Sequence, residues 1–331
     1  MDIHKEAYKE LDKIRTTNQK LKENRTQEIY KNVPKIKLID QKISDLGIQI
    51  TTSVLQNPKD IDIVMQNLKK QINTLKQEKS KLLSEKYPPN YLDLHHFCNI
   101  CKDIGHVASK RCSCVDKHIT DKYLELSGIK DILERENFEK FDLSYYSDNQ
   151  IPGTDLTEKK YMQAIVNQVK FFCKNFGIQN QNKQNYDNIL FFGEPGRGKT
   201  FLCNCIAKEL TNRGFGVFYS TSTRLSKTIE SSKFEKDEQA KKMLDLYYTS
   251  PLIILDDLGT EFSTTITDPE LFSIINHRIT AQKPTIISTN LDSKSIEAMY
   301  SQRIASRLFG EYKPYKIIGS DIRLAKRLKN I

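Results

Sequence analysis

The chain has 331 residues, enough for about two domains, and 38% of them are hydrophobic while 28% are charged. Its longest apolar runs are strand-sized, far below the ~20 residues of a membrane span. Its first ten residues, MDIHKEAYKE, lack the apolar core of a secretory signal. We therefore expect a soluble, cytoplasmic protein without a membrane partner. The net charge of +10 favours a polyanionic partner, although many basic proteins of this size bind no nucleic acid.

The first part of the chain is predicted to be helical. Residues 1–57 are polar and helix-like, and Pro34 and Pro58 punctuate them. In the helix that follows, apolar residues recur at steps of four and three, which gives a coiled-coil-like stripe. The stripe consists of Ile61, Met65, Leu68, Ile72, Leu75 and Leu82. Two interpretations remain open: an intramolecular helical hairpin, or a surface that binds another protein.

A cysteine-rich segment follows the helices. Seven cysteines in a chain without a secretory signal favour thiols or metal ligands over disulfides. Two close pairs can bind Zn²⁺ tetrahedrally in a structural site with no open position. The pairs are Cys98 and Cys101, then Cys112 and Cys114. Because the second pair has the less common C-x-C spacing, His106 or His118 could replace one of these cysteines.

Residues 121–155 are interpreted as a linker to the next domain. Four of its aromatic residues are expected to pack on that domain: Phe138, Phe141, Tyr145 and Tyr146. A helix is predicted from 157 to 176, followed by a solvated polar loop over 180–185.

The stretch 191–200, FFGEPGRGKT, matches the phosphate-binding loop pattern G-x-x-x-x-G-K-[ST]. Glycines permit the tight turn and let main-chain N–H groups approach phosphate oxygens. The helix predicted over 199–211 adds the positive field of its N-terminus. Lys199 is expected to reach the β- and γ-phosphates, and the Thr200 hydroxyl to bind Mg²⁺. The predicted nucleotide-binding loop comprises Gly193, Glu194, Pro195, Gly196, Arg197, Gly198, Lys199 and Thr200.

Apolar runs alternate with helical stretches through the rest of the chain and predict a parallel sheet covered by helices. The runs are 216–220, 252–255, 285–288 and 315–318. The second run ends in Asp256 and Asp257, at the edge where parallel sheets bind ligands. Asp256 is expected to hold Mg²⁺, and Asp257 to orient or deprotonate the attacking water. Glu261 is a weaker alternative base, and a helix-capping role for the acids is the structural alternative.

Three further polar residues are candidates for catalysis. Asn290 follows the run 285–288 and could position the lytic water or simply form a turn. Arg303 and Arg307 share one face of a predicted helix. They could reach the nucleotide of a neighbouring subunit or form surface salt bridges.

Together these motifs resemble the AAA+ ATPases, and among them the bacterial replicative helicase loaders of the DnaI/DnaC type. The matching elements are GEPGRGKT, LIILDDLGTE, IISTN, RIASRLFG and GSDIR, while CNICKDIGH and CSC resemble the zinc-bearing module of Gram-positive loaders. The resemblance covers roughly residues 60–331 and is strongest over 186–323. It implies an α/β fold in which helices flank the parallel sheet of a P-loop AAA+ domain. A helical, coiled-coil and zinc-binding module is expected to precede this domain. The implied domains are 1–120 for helicase interaction, a linker at 121–155 and the AAA+ ATPase at 156–331.

The resemblance also implies residue roles. Asn290 becomes the first sensor, Arg307 the arginine finger with Arg303 beside it, and Arg323 a second sensor-like arginine. The chain after Asn290 is too short for a full helical lid, which leaves the role of Arg323 open. The acidic pair 256–257 is Asp-Asp, where most AAA+ proteins have Asp-Glu, and the shorter second acid suggests a slow, switch-like ATPase.

The implied function is an ATP-dependent loader that uses ATP, Mg²⁺ and a structural Zn²⁺. The N-terminal module would bind a hexameric replicative helicase, and the ATPase domain would self-associate and bind single-stranded DNA during replication initiation or restart. Weak candidates for DNA contact, alternatively a solvated basic loop, are Arg224, Lys227, Lys233 and Phe234. One alternative is an IstB-like ATPase of a transposition system, which binds duplex DNA and a transposase. Another is a nucleotide-dependent scaffold without turnover.

Overall fold

The computed structural model forms two compact units, which we call the helical unit, Tyr8–Cys112, and the sheet unit, Met1–Ala7 with Ser113–Ile331. The structure describes residues 2–56, 61–178, 188–235, 237–261 and 264–329, with the side chains of 53–63 and of 328 onward outside the description. The polar loop expected at 180–185 and the punctuating Pro58 lie outside the described residues.

Three long helices build most of the helical unit: α1 (Ile3–Asn32), α2 (Pro34–Gln56) and α3 (Ile61–Ser84). Pro34 is the first residue of α2, a position at which its missing N–H costs no hydrogen bond. Helices α2 and α3 pack on each other, and the Lys79 ammonium binds the Asp40 carboxylate at 2.6 Å. The described part of the predicted stripe is half-buried, so the intramolecular hairpin is the arrangement observed. A small antiparallel pair, β1 (His106–Val107) and β2 (Lys110–Arg111), closes the unit.

A five-stranded parallel sheet is the centre of the sheet unit. Its strands are β3 (Asn188–Phe192), β4 (Val217–Thr221), β5 (Leu252–Leu258), β6 (Thr285–Thr289) and β7 (Tyr312–Lys316), in the spatial order β4-β5-β6-β3-β7. The three inner strands are almost wholly buried, because helices cover both faces of such a sheet. The last strand begins earlier than the predicted 315–318, since Tyr312 to Lys316 pair along the whole of β3.

Helices connect and cover these strands. In chain order they are α4 (Ser113–Ser127), α5 (Lys130–Arg135), α6 (Glu158–Asn175), α7 (Lys199–Asn212), α8 (Ser222–Phe234), α9 (Glu238–Thr249), α10 (Thr267–Thr280), α11 (Ser293–Met299), α12 (Gln302–Gly310) and α13 (Ile322–Lys329). The α/β class and the helix-flanked parallel sheet are thereby confirmed. Within the described ranges, no helix combines the length and apolarity that crossing a bilayer requires.

The segment interpreted as a linker, 121–155, packs closely within the sheet unit. It carries α5 and contributes Ile129, Leu133 and Tyr146 to the buried core. It also includes the second half of α4, which lies along the edge strand β4, where the Tyr219 N–H donates to the Ser127 hydroxyl at 2.9 Å. A covered edge cannot recruit a further strand. This segment therefore supports the sheet directly.

Candidate functional site

The loop 193–198 joins the end of β3 to the start of α7, and its shape requires glycine. Gly193, Gly196 and Gly198 have φ of 138°, 77° and 98°, a region that other L residues rarely adopt. A Cβ on Gly193 would lie 2.4 Å from the carbonyl oxygen of Ile317, which is too close for any side chain. The loop is therefore a cradle of exposed main chain that fits a phosphate group at a helix N-terminus.

Lys199 lies buried against this loop, only 4% exposed. Its ammonium donates to the carbonyl oxygens of Gly193 at 2.7 Å and Glu194 at 2.8 Å. Burial lowers the pKa of Lys199 to about 8, and the carboxylates of Asp257 and Asp256 oppose that shift. The Lys199 ammonium is thus held where phosphate oxygens would enter.

Asp256 lies near the carboxyl end of β5 and is only 3% exposed. The Thr200 hydroxyl donates to its Oδ1 at 3.2 Å, and the Ser288 hydroxyl donates to the same oxygen. The Tyr219 hydroxyl donates to Oδ2 at 2.7 Å. Hydroxyl and carboxylate oxygens are the protein ligands that Mg²⁺ prefers, so the predicted pair of Thr200 and Asp256 fits that ion.

Asp257 follows in a left-handed backbone conformation, with φ of 56°. Its N–H donates to the Ser288 hydroxyl at 2.9 Å, while its carbonyl oxygen accepts from the hydroxyls of Ser222 at 2.7 Å and Thr260 at 2.9 Å. Such a conformation is costly for a non-glycine residue and persists only where the surroundings hold it. The hydrogen bonds therefore determine the direction in which the second acid points.

The electrostatics of Asp257 suit a base. Burial raises the pKa of the Asp257 carboxyl, the neighbouring Asp256 raises it further, and the cations Lys199 and Arg323 oppose both effects. A carboxylate with a raised pKa accepts a proton from water more readily.

A cavity of about 230 Å³ lies between the loop, the ends of the strands and α13. It brings together many of the residues predicted from the sequence: Pro195, Gly196, Gly198, Lys199, Thr200, Asp257, Asn290 and Arg323. Asp256 lines an adjoining cavity that shares Thr200. Gly193, Glu194 and Arg197 belong to the loop without lining the first cavity.

The aromatic side of this cavity escaped sequence reasoning. Phe141 and Tyr146 stack with their centroids 6.1 Å apart, and the Tyr146 hydroxyl donates to the Arg197 carbonyl at 3.0 Å. Tyr145 and Ile322 also line the cavity. Flat apolar walls beside polar groups are typical of sites that bind a heterocyclic base. The signal in the sequence was the group of aromatics at 138–146, which the linker interpretation assigned to packing alone.

Arg323 reaches the cavity through a single short helix. The Ile322 N–H donates to the Gly196 carbonyl at 2.9 Å, which ties the start of α13 to the phosphate loop. The Asp321 carboxylate caps the same helix by accepting from the Arg323 N–H at 2.8 Å. A full lid is not needed to place this arginine beside Asp257.

The other arginines and the alternative base lie elsewhere. Neither Arg303 nor Arg307 lines the cavity, and the Arg307 guanidinium faces Glu311 at 3.4 Å on the surface of α12. Glu261 is buried, with its carboxylate accepting from the Gly259 N–H at 3.0 Å and from the Tyr300 hydroxyl. Glu261 therefore already has partners outside the cavity.

A second candidate site is the cysteine cluster. The sulfur atoms of Cys98, Cys101, Cys112 and Cys114 all lie within 4.8 Å of one another, and all four residues are buried. A backbone hydrogen bond from Cys101 lowers the pKa of the Cys98 thiol to about 7, although burial opposes the shift. Four thiols that converge in this way fit a tetrahedral Zn²⁺ site. The His106 ring instead contacts the Tyr8 hydroxyl at 3.0 Å and stacks on the Tyr8 ring.

We expect purified protein to contain about one zinc ion per chain, because four convergent thiolates complete the coordination of the ion. Cys98→Ser should lower the zinc content severalfold, as measured by mass spectrometry of the metal. Cys205→Ala, which removes a buried cysteine of α7 outside the cluster, should retain zinc. Protein purified without chelators that contains no zinc would contradict this assignment.

Parts of this chain are similar to known proteins. Residues 178–309 match the family described as IstB-like ATP binding protein. The replicative helicase loader DnaI of Bacillus subtilis (strain 168) is 27% identical over 143 residues, which are 42% of this chain and 44% of DnaI. The replicative helicase loader DnaC of Escherichia coli (strain K12) is 22% identical over 124 residues, 38% of this chain and 51% of DnaC. The chain thus spans about half the length of these relatives. A crystal structure of DnaI, 24% identical, covers 58% of this chain and 92% of its own, with a TM-score of 0.42.

Proposed function

We propose that this protein is an ATPase that loads a replicative helicase onto single-stranded DNA. The match of residues 178–309 to the family described as IstB-like ATP binding protein supports the ATPase part of this proposal. ATP hydrolysis would act as the switch that ends each loading event. The observation that carries the proposal is the convergence of Lys199, Thr200 and Asp257 on one cavity, with Asp256 bound to Thr200 at its edge.

Each residue has a chemical task in this proposal. Main-chain N–H groups of the loop 193–198 and the Lys199 ammonium bind phosphate oxygens, which neutralises charge that grows during phosphoryl transfer. Mg²⁺, when bound through Thr200 and Asp256, supplies further charge neutralisation. The Asp257 carboxylate orients the attacking water and accepts its proton, and the Asn290 amide holds that water from the neighbouring strand.

The arginines complete the charge balance. Arg323, already in the cavity, binds phosphate oxygens from the side of α13. Arg307, with Arg303 beside it, lies on the surface of α12 and would act on the nucleotide of a neighbouring copy. This arrangement makes turnover depend on self-association of the ATPase domain.

The proposed partners are a hexameric replicative helicase and single-stranded DNA. The relatives named above are helicase loaders, and the positive charge of this chain favours a nucleic acid partner. We assign helicase binding to residues 1–120, which contain the three long helices and all four cysteines of the cluster, and ATP binding to residues 156–331. The proposed DNA contacts lie on α8: Arg224, Lys227, Lys233 and Phe234.

A pull-down tests the loader function. We expect the full-length tagged chain to capture the replicative helicase encoded in the same genome, and single-stranded DNA to stimulate its ATP turnover. Failure to capture the helicase at low salt would remove the main support for loading. Preference for duplex DNA together with capture of a transposase would instead favour the transposition helper suggested by the family description. Nucleotide binding without any turnover would favour a scaffold.

A further inference from the structure

Three strands of the sheet contribute to the position of one carboxylate. Tyr219 lies on β4 and Ser288 on β6, the two neighbours of the strand β5 that carries Asp256. Thr221 is paired with Asp256 across the β4–β5 ladder, so Tyr219 stands two residues further back. A long phenolic side chain spans that offset, and its hydroxyl reaches Oδ2 at 2.7 Å.

The two oxygens of this carboxylate have different partners. Oδ1 accepts from the hydroxyls of Thr200 and Ser288, whereas Oδ2 accepts from the Tyr219 hydroxyl. A buried carboxylate is stable only when its oxygens are hydrogen-bonded. The Tyr219 hydroxyl therefore restrains Oδ2, the oxygen that Thr200 does not contact, and with it the rotation of the whole carboxylate.

We propose that Tyr219 is a positioning residue for the magnesium site: it fixes the Asp256 carboxylate in the orientation that presents Oδ1 toward Thr200. This inference rests on the proposed nucleotide-binding function. Groups that orient metal ligands usually alter metal affinity by about 10- to 100-fold when they are removed.

Ser288 extends the same network to the second acid. Its hydroxyl donates to Asp256 and accepts from the backbone N–H of Asp257 at 2.9 Å. One hydroxyl thus couples the orientation of the metal-side acid to the left-handed backbone of the water-side acid. Ser288 is a second positioning residue, one that acts on both acids.

The chain offers a matched control for Tyr219. Tyr247 is also fully buried, and its hydroxyl pairs with the Ser220 hydroxyl at 2.6 Å, next to Tyr219 in the sequence. Tyr247→Phe removes a buried phenolic hydroxyl that is hydrogen-bonded to β4, and it leaves the hydrogen bond between Tyr219 and Asp256 in place. Any general loss of stability should appear in both variants.

The experiment measures the affinity of a fluorescent ATP analogue for the full-length chain, once with Mg²⁺ and once with EDTA. We expect Tyr219→Phe to lose about tenfold of the Mg²⁺-dependent gain in affinity and to match the wild type in EDTA. Tyr247→Phe should keep the full gain, and Ser288→Ala should lose it as Tyr219→Phe does.

If Mg²⁺ raised the nucleotide affinity of Tyr219→Phe and Tyr247→Phe equally, the positioning role would be overturned. The same would follow if Mg²⁺ did not change the nucleotide affinity of the wild type. A wild-type chain that binds no nucleotide at all would refute the proposed function itself. The two failures are therefore distinguishable. The melting temperatures of both phenylalanine variants should also be measured. A loss of nucleotide affinity that both variants share would reflect lost stability and not the position of Asp256.

Discussion

Lys199→Ala should abolish ATP binding, with a loss of affinity of about 100-fold or more. The lysine is buried within the phosphate loop, and its ammonium bonds two loop carbonyls at 2.7 and 2.8 Å. Alanine removes both the cation that would contact the phosphates and a tether that shapes the loop. Equilibrium titration with a fluorescent ATP analogue measures the loss directly.

Lys208→Ala is the matched control for this variant. Lys208 lies on the same helix, and its ammonium pairs with Glu134 at 2.5 Å near the surface. Partly exposed pairs contribute little, so nucleotide affinity should stay within about twofold of the wild type. Equal affinity in Lys199→Ala and Lys208→Ala would show that the phosphates bind somewhere other than this loop.

Asp257→Asn should bind ATP as the wild type does and lose turnover by about 10²- to 10⁴-fold. The amide has the size of the carboxylate but accepts no proton from water. Asparagine also tolerates the left-handed backbone found here, and the hydrogen bond to the Ser288 hydroxyl uses the backbone N–H of residue 257, which the substitution retains. The substitution therefore removes the base while the local fold is retained.

Asp292→Asn serves as the control for that chemistry. Asp292 caps α11 by accepting from the Ser295 N–H at 2.8 Å, and asparagine caps helices equally well. Phosphate release by this variant should equal that of the wild type. If Asp257→Asn also turned over at the wild-type rate, the role of base would pass to Glu261 or to another group.

The parts of the site that follow from local spacing were predictable from the sequence. The glycine pattern of residues 193–198 dictates a turn, and parallel strands bring their carboxyl ends to one edge of a sheet. These two rules suffice to predict that Thr200, Asp256 and Asn290 lie near one another. The predicted bounds of the last strand were wrong, because a partly exposed strand at the sheet edge gives a weaker apolar signal than a buried one.

Contacts between distant parts of the chain were not predictable in this way. The bond from Tyr219 to Asp256 depends on the register between two strands, which the sequence does not encode as a motif. Tyr146 reaches the phosphate loop from a segment interpreted as a linker. Arg323 seemed too close to the chain end for a lid, yet the contact of Ile322 with the loop places it in the cavity.

The most direct measurement is a structure of the full-length chain with a non-hydrolysable ATP analogue and Mg²⁺. The account predicts that the phosphates lie within the loop 193–198, that the Lys199 ammonium contacts the β- and γ-phosphates, and that the metal ion lies between Thr200 and Asp256. Phosphates outside that loop, or a metal ion remote from Asp256, would contradict it.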